Sequence, residues 1–236
     1  MNNSEEDYQK WLKSAHGIYD KFRGQMVDAT QNGMKPDPFI VDMTGGYYLF
    51  RRPHPLVWQR LSSFGEKIKD IAPNVLVYKG GVLHSTFTDY QVKPGFTPSH
   101  AEDHIQVIKG LDGIVKKLAR ATTKRPQATY KDVLFGLHAF MLEGEMDQTF
   151  YEHACIVREE GEKLGMNLRL PWGTHITFAR TSGEVTPTQV KQLVELCRMS
   201  PFPPGSEYPF FSIEAGWYTM NPKDGFVSYI TSVTEY

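Results

Sequence analysis

The feature that most constrains this chain is a four-residue motif that occurs twice. His84-Ser85-Thr86-Phe87 recurs as His175-Ile176-Thr177-Phe178, and only the second position differs. The two histidines lie 91 residues apart in the sequence, so the repetition is not a local low-complexity pattern. With ordinary residue usage, a chance pair of this kind is on the order of one in several thousand. The two copies therefore predict two equivalent pieces of structure.

The same order of elements precedes each copy: a strand, a helix and the strand that carries the motif. In the first half these predicted elements are the strand Tyr47–Phe50, the helix Pro55–Ile71 and the strand Val82–Phe87. In the second half they are the strand Val133–Leu142, the helix Asp147–Leu164 and the strand Gly173–Arg180. Each helix begins 28 or 29 residues before its histidine. Because residue identity is poor outside the motif, this spacing predicts a structural pseudo-repeat rather than a sequence repeat.

The rest of the chain adds a long N-terminal helix and a C-terminal hairpin. Ser4 and Asp7 resemble a capping box, and apolar residues at helical spacing continue to about Ala29. A break containing Gly and Pro follows, so residues 1–36 are predicted to form a helical extension and residues 37–236 the main domain. The remaining predicted elements are a short strand Val75–Tyr78, a loop Val92–Pro98, helices Ala101–Arg120 and Pro187–Met199, and strands Phe210–Met220 and Phe226–Thr234. Interleaved helices with antiparallel or mixed sheets predict the α+β class.

The composition of the chain says more about its possible binding partners than about its fold. The 236 residues are 40% hydrophobic and 22% charged, which suits one soluble domain with a sizeable core. A formal net charge of −1 argues against a long duplex footprint, but not against a nucleotide or short oligonucleotide in a local positive cleft. The polar N-terminus does not resemble a signal peptide and no apolar run approaches a membrane span, so a cytoplasmic location is expected. Cys155 and Cys197 are predicted to be buried free thiols.

Strand alternation gives each motif a polar face. Side chains alternate across a strand, so His84 and Thr86 face one side, and Ser85 and Phe87 face the other. In the second copy the apolar pair is Ile176 and Phe178, which indicates that they face a core. Each motif is therefore predicted to line a cleft with one imidazole and one hydroxyl.

Two histidines across a cleft allow three kinds of chemistry. Zinc requires three or four protein ligands, and each motif supplies one imidazole. A nucleophilic mechanism lacks a suitable Ser or Cys, since Ser85 is predicted to face away from the cleft. A base and an acid suit imidazoles best, because their unperturbed pKa is close to neutrality. With threonine hydroxyls as donors to phosphate oxygens, phosphodiester cleavage is the reaction that the motifs favour.

In these two motifs the chain resembles the 2H phosphoesterase superfamily, which is defined by two His-x-Thr/Ser-x motifs with a hydrophobic final x. The resemblance extends in element order from about Asp42 to Tyr236, and the N-terminal helix lies outside the common core. It implies an α+β fold with two pseudo-symmetric lobes around a central cleft. It also implies that His84, Thr86, His175 and Thr177 are the catalytic residues.

The resemblance implies a phosphoric diester hydrolase that needs neither metal nor cofactor. The expected substrates are 2′,3′-cyclic phosphates or 2′-5′ linkages in RNA ends or small oligonucleotides, and the protein is expected to be a monomer. One alternative is a hydrolase of a cyclic nucleotide or oligonucleotide second messenger. Another is a non-catalytic RNA-binding protein that retains the cleft. The chain has no P-loop or dinucleotide glycine motif, so an ATP-driven ligase is not supported.

A few further residues are candidate substrate contacts. A base could stack on one or two of the aromatic residues that lie near motif strands or on late strands, namely Tyr78, Tyr90, Trp172, Trp217 and Tyr218. Of these, Tyr78, Trp172 and Trp217 are the predicted substrate contacts. Arg180 shares the face of Phe178 by strict alternation, so it reaches phosphate only if the strand bends. Arg51-Arg52 is interpreted as a solvated strand end, with a positive rim as the alternative. His100, Glu102 and His104 have chelating spacing but no evident third ligand, so structural roles are expected for them.

Overall fold

The computed structural model describes residues 5–98, 103–121, 124–203 and 205–235. Within them the strands form two antiparallel sheets. The strands are β1 (Gly45–Arg52), β2 (Val75–Val77), β3 (Ser85–Lys93), β4 (Gln127–Phe135), β5 (Ala139–Met146), β6 (Ile176–Thr181), β7 (Glu207–Pro209), β8 (Ser212–Asn221) and β9 (Gly225–Glu235). The first sheet has the order β3-β1-β8-β9 and the second has the order β2-β6-β5-β4-β7. The predicted α+β class is confirmed.

The helices begin where the sequence supplies caps. They are α1 (Glu5–Asn32), α2 (Pro38–Val41), α3 (Pro55–Ile71), α4 (His104–Ala121), α5 (Gln148–Lys163) and α6 (Pro187–Arg198), with a 3-10 turn at Gly80–Val82. The Asp147 side chain caps α5 by accepting a hydrogen bond from the backbone of Phe150 at 2.9 Å. Thr186 and Gln189 form a capping box at the start of α6. These local signals explain why the helix boundaries agree closely with prediction. The predicted starts Ser4 and Ala101 lie outside the described residues.

The pseudo-repeat is visible in the strand pairing. In the first half, β3 pairs with β1, the strand that precedes α3, and Thr86 lies opposite Phe50. In the second half, β6 pairs with β5, the strand that precedes α5, and Thr177 lies opposite Met141. Each lobe therefore has its own sheet, and each sheet contributes one motif strand to the cleft between them. The two-lobed architecture expected from the sequence is confirmed.

Two predicted strands need correction. The predicted strand Val133–Leu142 is wrong, because the chain reverses after β4 and returns as β5, with Gly136 N donating to Ala139 O at 3.0 Å. The sequence from Val133 to Leu142 is almost continuously apolar, so it gave no signal for this turn. The predicted strand Val82–Phe87 begins only at Ser85, so His84 immediately precedes β3, as His175 immediately precedes β6. The three-residue strand β7 was not predicted.

The N-terminal helix α1 packs on the second lobe, against α6, β4 and β5. The Tyr19 hydroxyl donates to Gly144 O at 3.0 Å, and the Trp11 indole donates to Pro171 O at 2.7 Å. Arg23 forms an ion pair with the buried carboxylate of Glu143. On the described residues, no helix combines the length and the apolar character that crossing a bilayer requires.

Arg51 contradicts the interpretation of a solvated strand end, because it is completely buried. Its guanidinium lies over the ring of Phe87 at 4.5 Å and over that of Phe150 at 5.5 Å. It also forms a hydrogen bond to Nδ1 of His153, which is completely buried on α5. This arginine therefore connects β1 of the first lobe with α5 of the second.

Candidate active site

The first motif histidine is held from three sides. His84 Nδ1 lies 2.8 Å from the carbonyl oxygen of Val82, and because a carbonyl only accepts, Nδ1 carries the proton. The ring stacks on Phe50 with centroids 3.6 Å apart and 13° between planes, and it contacts Phe226 at 4.7 Å. Neutral His84 therefore has its lone pair on Nε2 and a fixed ring orientation.

A buried ion pair supports the backbone that carries His84. Arg52 Nε donates to Oε2 of Glu214 at 2.8 Å, and both side chains are almost completely buried. Arg52 Nη1 also donates to the carbonyl of Leu83 at 3.2 Å. The prediction of a solvated strand end is therefore wrong for Arg52 as well. The composition of the strand end did not reveal this role, because Glu214 lies on β8, which is next to β1 in the sheet but 162 residues away in the sequence.

The second motif histidine rests on a tryptophan that α1 holds in place. His175 stacks on Trp172 with centroids 4.0 Å apart and 15° between planes. On α1, Phe22 stacks on Trp172 at 6.1 Å and Tyr19 meets it edge-on at 5.4 Å. His175 Nδ1 is buried and forms no hydrogen bond with any residue that the structure describes. Aromatic packing, rather than a hydrogen bond, therefore orients this imidazole.

Both histidines are electrostatically biased towards the neutral form. Burial lowers the pKa of His84 well below 6.5, against the effect of the Val82 hydrogen bond, and the positive charges of Arg52 and Arg180 lower it further. Burial, followed by the charge of Arg180, lowers the pKa of His175 to about 3. At neutral pH, without a bound anion, the cleft therefore presents two imidazoles that can accept protons.

A β-bulge follows the threonine of each motif. In β6, Thr177 lies opposite Met141 and Ala179 opposite Phe140, so Phe178 is an extra residue. In β3, Thr86 lies opposite Phe50 and Thr88 opposite Leu49, so Phe87 is the extra residue. A bulge shifts the alternation by one position beyond it. For this reason Arg180 in β6, and Asp89 at the equivalent position in β3, both line the cleft.

Arg180 is held in the cleft as a permanent cation. Its Nη1 donates to Oδ2 of Asp37 at 2.5 Å, it interacts with the hydroxyl of Tyr78, and its guanidinium lies 5.1 Å from the ring centre of Phe39. Although desolvation opposes the charge, Tyr78 and Asp37 raise the pKa of Arg180. Asp37 also caps α2 by accepting from the backbone of Phe39 at 2.8 Å. Thus α2 and Tyr78 keep a positive charge beside the motif histidines.

The predicted site residues converge on one cleft, with one exception. The cleft has a volume of about 680 Å³ and is lined by His84, Thr86, His175, Thr177, Tyr78, Trp172 and Arg180. Trp217 is not among its lining residues, since it stacks on Tyr229 at 3.7 Å, whereas the next residue of β8, Tyr218, does line the cleft. Phe39 and Asp89 are two lining residues that sequence reasoning missed, whereas Tyr218 is among the aromatic residues on which base stacking was predicted. The choice between Trp217 and Tyr218 depended on which face of β8 is inside, which alternation alone leaves open.

Other predicted residues lie elsewhere. Cys155 and Cys197 are free and buried, as predicted. His104 Nδ1 lies 2.9 Å from the hydroxyl of Tyr47, while His100 and Glu102 lie outside the described residues. Among residues 5–98, 103–121, 124–203 and 205–235, no group of three or more His, Cys, Asp or Glu side chains is arranged to hold a metal ion.

Comparisons with known proteins connect this geometry to a fold class. No protein-family model and no curated protein sequence matches the chain. Solved structures do match. Escherichia coli LigT in its apo form aligns with a TM-score of 0.51 at 12% identity, covering 82% of this chain and 98% of LigT. The protein TT0787 of Thermus thermophilus aligns with a TM-score of 0.49 at 16% identity, covering 80% of this chain and 97% of that one.

The fold is therefore that of the 2H phosphoesterases, and the resemblance seen in the two motifs is confirmed at this level. The chain shares its architecture with E. coli LigT over almost the whole of LigT. At 12% identity the similarity establishes the fold, and the chemistry depends on the residues of the cleft.

Proposed function

We propose that this protein is a metal-independent phosphoric diester hydrolase in which His84 and His175 are the base and acid. The observation that carries the proposal is that both His-x-Thr pairs line one cleft together with the cation of Arg180. The proposed substrates are 2′,3′-cyclic phosphates or 2′-5′ linkages in RNA ends or small oligonucleotides. A cyclic nucleotide or oligonucleotide second messenger would present the same phosphodiester to the same groups.

In the proposed reaction on a 2′,3′-cyclic phosphate, one neutral imidazole takes a proton from water. The water oxygen forms a bond to phosphorus, and the bond between phosphorus and one ribose oxygen breaks. The other imidazole, protonated in the complex, donates its proton to that leaving oxygen. The Thr86 and Thr177 hydroxyls donate hydrogen bonds to the non-bridging oxygens, and Arg180 stabilises the negative charge. Base and acid are shared between the two histidines, and no metal takes part in any step.

The imidazole that acts as the acid has to gain its proton when the substrate binds. Both histidines are neutral at neutral pH without a bound anion, so one of them takes up a proton from solvent as the anionic substrate binds. An anion close to an imidazole raises its pKa, which opposes the effects of burial and of Arg180. Two titrating groups are expected to give a bell-shaped pH–rate profile.

The proposal is tested with a panel of 2′,3′-cyclic nucleotides, 2′-5′ oligoadenylate and cyclic dinucleotides, with products identified by mass spectrometry. His84→Ala and His175→Ala are each expected to reduce turnover roughly 10²–10⁴-fold, because each removes one proton transfer. His138→Ala, in the turn between β4 and β5, is the matched control and is expected to retain full activity. EDTA is expected to have no effect.

The outcomes separate the candidate functions. Turnover within a few-fold of wild type in either histidine variant would contradict the His/His mechanism. Preferential cleavage of cyclic dinucleotides would favour the second-messenger alternative. No cleavage of any diester together with measurable RNA binding would favour the non-catalytic RNA-binding alternative. E. coli LigT has been crystallised with 3′-AMP and with phosphate, which makes these two compounds suitable binding probes.

A further inference from the structure

The two half-sites are equivalent in geometry but opposite in charge. Asp89 lies five residues after His84, and Arg180 lies five residues after His175. Each follows the bulge of its strand, so each lines the cleft at the same position relative to its motif. The pseudo-repeat thus places a carboxylate on one wall of the cleft and a guanidinium on the other.

Arg180 and Asp89 differ in whether other side chains pair with their charge. Arg180 is paired with the buried carboxylate of Asp37 and with Tyr78. The Asp89 side chain is exposed within the cleft, and its carboxylate forms no hydrogen bond or ion pair with the residues described by the structure. Its electrostatic neighbours include Arg180 and the hydroxyl of Tyr218. Asp89 is therefore a hydrogen-bond acceptor with free capacity inside the cleft.

A free carboxylate is unfavourable in a cleft that binds only phosphate. Like charges in such a cleft repel, so Asp89 weakens the binding of a bare anion. Desolvation by the surrounding cleft raises the pKa of Asp89 to about 7, against the effect of the Arg180 charge. The repulsion is offset if a donor on the substrate occupies the carboxylate, because an ionised carboxylate only accepts hydrogen bonds.

The surroundings fit a nucleoside. Phe39 is 41% exposed at the cleft and presents an aromatic surface beside Arg180. Tyr218 and Phe226 line the cleft with further aromatic surface. Aromatic side chains stack on nucleobases, and a small number of polar groups then determines which base or sugar is accepted.

We propose that Asp89 is a specificity-determining residue that accepts a hydrogen bond from a donor on the nucleoside, either a base amino group or the ribose 2′-hydroxyl. The proposal rests on the proposed function, since it assumes a nucleotide in the cleft. Arg180 attracts the phosphate and Asp89 attracts the donor-bearing part. The opposite charges of the two half-sites therefore orient an asymmetric substrate in a cleft whose scaffold is nearly symmetric.

The test measures binding of 3′-nucleoside monophosphates and inorganic phosphate at pH 8 by calorimetry, in wild type and in Asp89→Asn. Asn keeps the shape of Asp but loses the charge and adds a donor. The 3′-monophosphate of adenosine is compared with that of purine riboside, and the 3′-monophosphate of guanosine with that of inosine; each pair differs by one base amino group. The 3′-monophosphates of adenosine and 2′-deoxyadenosine are also compared, which tests the ribose 2′-hydroxyl as the donor. Asp70→Asn, an exposed carboxylate on α3, is the matched control.

Wild type and Asp70→Asn are expected to bind at least one donor-bearing nucleotide roughly ten- to a hundredfold more tightly than its analogue, the range for a hydrogen bond to a charged group. Asp89→Asn is expected to reduce that preference to within about threefold and to bind inorganic phosphate more tightly. Equal preferences in wild type and Asp89→Asn would overturn the proposal. Since product binding is measured, the result does not depend on whether the chain hydrolyses any diester.

Discussion

At the residue scale, each motif presents one face to the cleft and the other to the core. His84, Thr86, His175 and Thr177 line the cleft, while Ser85 and Ile176 are completely buried. Strand alternation predicts this arrangement, but it could not predict the position of Arg180. That position depends on a bulge, and a bulge depends on how β6 pairs with β5, a strand whose own prediction was wrong. Pairing partners distant in sequence are not encoded in local periodicity.

The buried serine of the first motif leads to a stability prediction. Ser85 Oγ is buried and forms no hydrogen bond with any of the described residues. An unsatisfied hydroxyl in a core costs about 1–3 kcal/mol, so Ser85→Ala is expected to raise the free energy of unfolding by about 1 kcal/mol. Activity is expected to stay unchanged, because Ser85 faces away from the cleft. Urea denaturation and a kinetic assay check both parts, and a less stable or inactive variant would contradict them.

The lowered histidine pKa values lead to a prediction about protons. Because His84 and His175 are neutral without a bound anion, binding of an anion that raises their pKa causes proton uptake. Sulfate binding at pH 6 is expected to take up a fraction of a proton, since sulfate itself does not titrate there. Calorimetry in buffers of different ionisation enthalpy measures this uptake. The Asp89→Asn background removes the carboxyl that also responds.

The control for this measurement is the loss of one imidazole. His175→Gln in the same background is expected to show less proton uptake than its parent. Zero uptake, or proton release, in the parent would show that the histidines do not respond to the bound anion.

At the element scale, local capping residues gave reliable helix boundaries, whereas the turn between β4 and β5 was missed. The N-terminal helix was predicted as an appendage, and its existence followed from apolar spacing. Its contribution to the cleft could not be predicted from apolar spacing, because Phe22 and Trp172, which are in contact, lie 150 residues apart in the sequence. In the structure α1 supports the tryptophan on which His175 stacks.

Removing this support is expected to affect turnover more than substrate binding. Phe22→Ala leaves Trp172 without its stacking partner on α1, so the imidazole of His175 is less well oriented. We expect kcat to fall roughly tenfold with KM within about twofold, because His175 transfers a proton in the proposed mechanism and its misplacement would affect the reacting geometry. Phe22→Leu is expected to recover most of the activity. Val27→Ala, on the exposed face of α1, is the matched control.

A different kinetic result would contradict the positioning role of α1. Unchanged kcat in Phe22→Ala would show that His175 is oriented without Phe22. A kcat in Phe22→Leu as low as in Phe22→Ala would show that more than apolar packing is required.

At the scale of the whole molecule, the two lobes share a core that includes the buried charge of Arg51. Sequence reasoning placed this residue in solvent, since arginine is seldom completely buried unless it is paired. The partners are Phe87 of β3 and His153 and Phe150 of α5, which only the tertiary fold brings together. Burial lowers the pKa of Arg51 to about 9, so it remains charged at neutral pH. The predicted pseudo-repeat was correct, but its interface could not be derived from either half alone.

Loss of this arginine is expected to destabilise the fold strongly. Arg51→Ala removes a buried cation from its aromatic and histidine partners and leaves a cavity between the lobes. We expect a loss of about 3 kcal/mol or more in the free energy of unfolding, measured by urea denaturation. Arg198→Ala, which removes an exposed ion pair with Glu195, is expected to change stability by less than about 0.5 kcal/mol. Similar losses in the two variants would contradict the role of Arg51.

Because of the matched bulges at Phe87 and Phe178, the number of residues in each motif strand determines which side chains face the cleft. Side chains alternate between the two faces of a strand, so one extra residue moves every side chain beyond it to the opposite face. A one-residue deletion between Thr177 and Arg180 would turn the guanidinium towards the core while leaving every motif letter intact. Substitution of the bulged residue by another apolar one would keep each side chain on its face. In a redesign of this scaffold, the number of residues from His84 to Asp89 and from His175 to Arg180 is the feature to hold constant.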